Sequence, residues 1–283
     1  MKWGGLRGSD PTRTWSRRYT GRRAPSTYTA GICTKAFVVA ACVATLGFGS
    51  AALAADPDLS VYYSFNEGAG EIATDGSDYG NDGLLVGDPT WAAGVVGQAL
   101  VLAPNTYVDL VGPEFQNVPK TGITIACWVN HNAIGDMSLF DAIGDAHGSG
   151  LYHVEIRAGG VRWFHRDDGE VQIFNINPGP VIPGGEWVHF TGTYEADGDA
   201  VTYMNGEETH RAPGSGELSD NWRVQAEIGH HKNGRWYDGL IDEFYMFSRA
   251  LTADEVTAVM DDEFLPVKAA GKATTTWARV KSQ

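Results

Sequence analysis

The stretch from Asp238 to Leu251, Asp-Gly-Leu-Ile-Asp-Glu-Phe-Tyr-Met-Phe-Ser-Arg-Ala-Leu, constrains this chain more than any other. Read as a strand, it puts Leu240, Phe244 and Met246 on one face and Ile241, Glu243, Tyr245 and Phe247 on the other. Apolar residues on both faces require packing on both faces, so the strand belongs inside a sheet and not at its edge. Asp242 interrupts the Leu240/Phe244 face, and a carboxylate inside a layered β fold needs a partner.

The chain has 283 residues, 43% of them hydrophobic, with 36 glycines, 31 aromatic Phe, Tyr and Trp residues and few helix-length apolar repeats. That balance favours an all-β architecture. Charge is divided unevenly. Residues 1–54 hold eight of the 21 Lys/Arg and one of the 35 acids, which leaves the remainder near -21. Such a surface repels nucleic acid and anionic lipid and suits a soluble exported protein.

An Arg-rich segment (Arg13, Arg17, Arg18, Arg22, Arg23) precedes the apolar run 36–48 and the small-residue end Ala52-Leu53-Ala54. Basic, apolar and Ala-x-Ala parts in that order read as a signal peptide with a long basic n-region over 1–54, cleaved after Ala54. The expected location is secreted or cell-envelope, with no membrane span after cleavage. Cys33 and Cys42 leave with the leader, so Cys127 is the one cysteine of the exported body, and it reads as a buried inert thiol.

Short alternating runs follow one another along residues 55–265. Ile123, Ile125, Cys127 and Val129 share one face of a strand, with Thr124, Ala126 and Trp128 on the other. Runs at 138–143, 151–156, 161–165 and 171–174 read as four more strands, with turns at 158–160 and 167–169. Asn205-Gly206 between two runs is a strong hairpin signal, because both central residues of a type I′ turn take positive φ. Thr252-Ala253-Asp254-Glu255 is a capping box that opens a short helix. Residues 266–283 read as a tail.

Four separated motifs carry a resemblance. They are Tyr62-Tyr63-Ser64-Phe65-Asn66-Glu67-Gly68-Ala69-Gly70, the glycine-punctuated run from Gly80-Asn81 through Trp91 to Leu100, Trp187-Val188-His189 through Asn205-Gly206, and the closing stretch. Together they resemble the laminin-G-like jelly rolls of the concanavalin A-like lectin/glucanase superfamily over residues 59–262. The resemblance implies a two-sheet antiparallel sandwich with a short C-terminal helix, its last strand beside its first. It also implies a calcium site near those strands, for which Glu67, Asp75, Asn81 and Asp242 are the candidates. The alternative for Asp242 is that it accepts backbone hydrogen bonds from the 75–83 loop with no metal.

Catalytic sets are poorly represented. Glucanases of this fold carry Glu-x-Asp-x-(x)-Glu so that two carboxylates flank the bond ~5.5 Å apart, and here the position two before Asp242 is Leu240. His147-Gly148-Ser149-Gly150 is no nucleophile elbow. His230-His231 with nearby Asp238 suggests zinc by composition, but neighbours on a strand point to opposite faces and do not easily share one ion, so the pair reads as solvated loop histidines.

Sugars stack on aromatic faces beside polar groups that bond their hydroxyls. Trp222-Arg223 and Asn233-Gly234-Arg235-Trp236-Tyr237 have that composition, so Trp222, Arg223, Asn233, Arg235, Trp236 and Tyr237 are the candidate ligand residues. Trp163 and His165 share that composition, and Trp128 and Trp187 read as core. The expected function is a non-enzymatic module for carbohydrate or a glycosylated surface, stabilised by Ca²⁺. Two alternatives stand beside it: an adhesion domain that recognises protein, and a glycan-active enzyme whose carboxylate pair comes from distant strands.

Overall fold

The computed structural model describes residues 56–111, 114–132, 135–144, 151–157, 160–222 and 224–264. The expected leader, the tail, the 147–150 loop, the tip of the 158–160 turn and Arg223 lie outside them. Among the described residues the order is β1 (Leu59–Tyr63), β2 (Ile72–Ala73), β3 (Gly83–Val86), β4 (Thr90–Ala93), β5 (Gln98–Leu102), β6 (Tyr107–Asp109), β7 (Gly122–His131) and β8 (Met137–Ile143). There follow β9 (Tyr152–Arg157), β10 (Gly160–Arg166), β11 (Gln172–Ile176), β12 (Val188–Glu195), β13 (Asp199–Met204), β14 (Glu207–Pro213), β15 (Gln225–Ile228), β16 (Gly239–Phe247) and α1 (Ala253–Met260).

The strands form two antiparallel sheets. The first runs β14-β13-β12-β7-β16-β5-β4, and β1 also pairs with β16. The second runs β11-β10-β9-β8-β15-β6-β3-β2. As the two-faced apolar pattern predicts, β16 is internal. Its whole length pairs with β7, while its other edge is shared between β5 at Gly239–Ile241 and β1 at Phe244–Phe247. First and last strands therefore lie side by side.

One buried cluster joins the facing surfaces, with Ile123, Ile125, Cys127 and Val129 from the first sheet and Leu139, Val154, Trp163 and Phe174 from the second. Ring contacts cross the layer, with Phe140 6.4 Å from Phe244 and Phe174 4.7 Å from Tyr194. Burial also pushes the Cys127 thiol up, which fits an inert core residue. A second cluster covers the other face of the first sheet, where Leu251, Val256 and Val259 of the C-terminal segment pack on Ala126, Val201, Tyr245 and Phe247. The capping box at Thr252 and Glu255 forms as predicted and starts α1. At the β13–β14 turn Asn205 and Gly206 take φ of 49° and 81°, the hairpin geometry the dipeptide predicts.

Strict alternation along β16 fails at one point. A bulge shifts the register between Asp242 and Tyr245, and Glu243 sits at φ 49°. The extra residue moves every later side chain to the opposite face. Ile241, Phe244 and Met246 consequently share the inter-sheet core, while Tyr245 and Phe247 face the helix. Glu243 is left buried against Tyr62, whose hydroxyl donates to its Oε2 at 2.5 Å.

Candidate functional site

The second sheet turns a polar surface away from the core, and strand alternation writes it. On β9, Tyr152, Val154 and Ile156 enter the core, so His153, Glu155 and Arg157 face outward. On β10, Val161 and Trp163 enter, so Arg162, Phe164 and Arg166 face outward. Tyr107 and Asp109 on β6, Asp141 on β8 and Glu227 on β15 extend the same surface.

The 229–238 segment between β15 and β16 folds back over this surface. Gly229 at φ 87° makes the first turn, and the Tyr237 N–H closes the loop onto the Gly229 carbonyl at 2.9 Å. Within the loop the Gly234 N–H donates to the His231 carbonyl and the Asn233 N–H to His231 Nδ1, at 2.8 and 3.0 Å. Two contacts then tie the loop to the sheet. Arg235 Nε lies 2.9 Å from Glu155 Oε1, and His231 Nε2 lies 3.2 Å from Asp141 Oδ2.

Two layers result. In the deeper one, Asp141 and Glu155 are fully buried and His153 and His231 nearly so. Glu155 collects the arginines, with Arg157 at 2.8 Å, Arg162 at 3.5 Å and Arg235 at 2.9 Å. Asp141 is contacted by the His153 and His231 imidazoles, of which His153 Nδ1 also lies 3.8 Å from Glu155 Oε1. Its burial, with the Glu155 charge beside it, holds its carboxyl well above the usual range. Burial and nearby arginines lower His153 to about 2 and His231 to about 3, so both rings are neutral at pH 7.

The outer layer is aromatic and half-buried. Trp236 stacks on His230 with ring centres 3.9 Å apart and planes 19° apart, and Tyr107 lies 6.0 Å from the same indole. Glu227 Oε2 contacts His230 Nδ1 at 2.5 Å, and burial, with Asp109 nearby, raises the Glu227 carboxyl to about 7. On the same loop Asn233 is exposed and Arg235 is half-buried against Glu155.

The predicted ligand residues therefore separate. Asn233, Arg235 and Trp236 come together on this surface. Trp222 and Tyr237, at 1% and 0% exposure, belong to the inter-sheet core and offer no face to a ligand. Trp222 packs edge-on to Tyr152 and beside Phe115 and Phe140, contacts its polar neighbours in sequence did not announce. Trp163 and His165 are core as well, whereas Trp128 and Trp187 are half-buried and not core. His231 is a buried partner of Asp141, not a solvated loop histidine. Sequence reading missed Tyr107, Asp141, His153, Glu155 and Glu227. Their signal is the polar half of each strand's alternation.

The four calcium candidates all hold hydrogen bonds within the protein. Both Asp75 oxygens are taken by donors, Oδ1 by the Tyr62 and Ser77 N–H groups and Oδ2 by the Asn81 N–H and the Ser77 hydroxyl. Asn81 Oδ1 accepts from the Gln116 N–H, and Glu67 Oε1 from the Thr74 N–H. Asp242 Oδ2 accepts from the Val95 and Val96 N–H groups at 2.8 and 3.0 Å, in the β4–β5 turn and not in the 75–83 loop. Asp75 is thereby saturated by donors, whereas Glu67 Oε2 is buried without a hydrogen-bond partner.

A sequence profile described as the concanavalin A-like lectin/glucanases superfamily (Laminin_G_3) matches residues 103–257, more than half of the chain. The chain belongs to that superfamily. Solved structures of the superfamily's jelly-roll fold are similar to it at low identity. Domain 4 of AbnA, an extracellular GH43 arabinanase of Geobacillus stearothermophilus solved in complex with arabinotriose, superposes with a TM-score of 0.56 at 19% identity, covering 72% of this chain and 98% of that one. The receptor-binding domain of the botulinum neurotoxin C/D mosaic serotype gives 0.54 at 15% identity, covering 73% of this chain and 51% of that one. The binding domain of Paraclostridial Mosquitocidal Protein 1 gives 0.56 at 14%, over 72% and 52%. The chain thus spans about half the length of the toxin binding domains. A search of curated proteins finds no similar sequence. Among the described residues no helix is long and apolar enough to cross a membrane.

Proposed function

We propose that this member of the superfamily is an exported, non-enzymatic module that binds carbohydrate or glycoconjugates through the outer surface of its second sheet. The observation that carries the reading is the half-buried Trp236 indole, seated on His230 beside Tyr107, with the Glu227 carboxylate on the same imidazole. An aromatic plane with acceptors and donors around its rim suits a sugar ring, whose apolar face stacks while its hydroxyls bond outward. Support from outside the chain comes from the arabinotriose complex of the arabinanase domain. Further support comes from a related toxin structure whose description makes cell entry dependent on two ganglioside molecules. The leader-like first 54 residues support export.

The test is a glycan array that includes arabino-oligosaccharides and ganglioside headgroups, probed with the wild-type chain and with Trp236→Ala. Binding to a defined set of glycans that the substitution abolishes supports the reading. Silence on every glycan, or binding untouched by the substitution, contradicts it. Hydrolysis of any bound glycan would favour the enzymatic alternative.

A further inference from the structure

We propose that Asp141, His153 and His231 form a binding site for one divalent transition-metal ion of the zinc type. Among the described residues they are the group of three His, Cys, Asp or Glu side chains whose donor atoms all lie within 4.8 Å of one another. Exposures of 0%, 3% and 2% put them under the 229–238 loop and out of bulk water.

The spacing fits. His153 Nδ1 lies 3.4 Å from Asp141 Oδ1, and His231 Nε2 lies 3.2 Å from Asp141 Oδ2. Two atoms each ~2.0–2.1 Å from a tetrahedral zinc ion are roughly 3.3 Å apart. Each imidazole nitrogen is thus at ligand spacing from a different oxygen of Asp141, and the carboxylate must turn or bind through both oxygens for one ion to join all three. At such distances hydrogen bonds would be expected, yet neither Asp141 oxygen nor His153 Nδ1 makes one in acceptable geometry. Buried polar atoms that converge without bonding one another leave room for another partner. The local charge points the same way. All three nearby arginines contact Glu155, and among the described residues the close ion pairs of Asp141 are with imidazoles, while Arg235 and Lys232 act on it from farther off.

Two imidazoles and one carboxylate are a donor set for zinc and its neighbours and not for calcium or magnesium, which take oxygen. The fourth position is left for water. His231 Nδ1 accepts the Asn233 N–H, so its proton sits on Nε2 in the metal-free chain. For Nε2 to ligate, that proton must move to Nδ1, and the Asn233 N–H must turn away. The Asp141 carboxyl, where protonated, gives its proton to solvent. Loading is therefore coupled to the loop that carries Trp236. The inference holds whether or not that loop binds glycan.

The test is titration of the full, chelator-treated chain with zinc, calcium and magnesium chlorides by calorimetry, together with the visible spectrum of its cobalt(II) form. The expected result is one zinc ion per chain, bound roughly a hundredfold or more tighter than calcium. The cobalt(II) spectrum should be that of a four-coordinate ion. Asp141→Asn and His153→Gln should each abolish binding while His210→Ala, at an exposed strand position, leaves it unchanged. No zinc binding, binding that survives both substitutions, or a six-coordinate cobalt spectrum overturns the proposal. The cobalt spectrum of the unsubstituted chain decides the matter even if a variant fails to fold.

Discussion

The Trp236 indole lies almost parallel to the His230 imidazole, 3.9 Å from it, so one face of the ring is already occupied by protein. A sugar would complete the sandwich from the other side. We expect Trp236→Phe to retain measurable glycan binding and Trp236→Ala to weaken it at least ~10-fold, about 1.4 kcal/mol. Equal losses in the two variants would argue that the indole acts by shape alone and not by stacking.

Asp242 is a clasp between the last strand and the β4–β5 turn. It accepts three backbone N–H groups, from Val95, Val96 and Glu243. Burial raises its carboxyl to about 6 despite those bonds. Asp242→Ala leaves one buried donor and two part-buried ones without this acceptor, and about 1–3 kcal/mol of stability should disappear in urea unfolding. Calcium should not protect the wild-type chain against unfolding. A calcium-dependent rise in the midpoint that Asp242→Ala removes would return this residue to a cation site.

Glu243 makes stability depend on pH. Burial is the largest cause of its rise to about 8, with the Tyr62 hydrogen bond opposing and Asp242 adding to it. Because the folded value exceeds the unfolded one, its contribution is fully present below about 4.3 and is lost as pH rises through 8. Glu243→Gln should therefore gain in melting temperature relative to wild type between pH 5 and pH 9. A difference that stays constant across that range would show that the carboxyl is not held protonated.

Buried neutral histidines set the acid limit. His165 and His189 are lowered to about 3 by burial, and His153 to about 2. Their stabilisation is present above the unfolded value near 6.5 and fades as pH falls toward those folded values. Together with Glu243 this predicts greatest stability near pH 6–7, read from denaturation midpoints across pH. A maximum below pH 5 would contradict it.

Gly239 opens β16 at φ 154°, where an added Cβ would meet the Asn130 carbonyl oxygen at 2.4 Å and His131 Cα at 2.6 Å. Both obstacles are backbone and belong to the neighbouring β7. Gly239→Ala should cost about 2–4 kcal/mol, measured by the same unfolding assay. A change below ~0.5 kcal/mol, the size of an ordinary surface substitution, would mean that the β7–β16 pairing yields easily.

Most of the fold was legible because strand period, Asn-Gly and the capping box are local signals. The closing strand showed that it was internal, and β1 and β16 do pair. Its faces were misread after Asp242, since a one-residue bulge leaves no mark in an apolar run. The site was legible only in part. Trp236 and Arg235 announced themselves by composition, but Trp222 has polar sequence neighbours and apolar spatial ones. Asp141, His153 and His231 are 12 and 78 residues apart in order, and only the β8–β9 pairing and the returning loop bring them together.

The central claim is that glycan meets the second sheet at Trp236. Its most direct test is calorimetric titration of the best array ligand into wild type, Trp236→Ala and Trp91→Ala. Trp91 lines a separate open cleft with Gly68, Glu71, Asp88 and Pro89. We predict that affinity collapses in Trp236→Ala and is unchanged in Trp91→Ala. The reverse pattern would move the binding site to that cleft and contradict the claim.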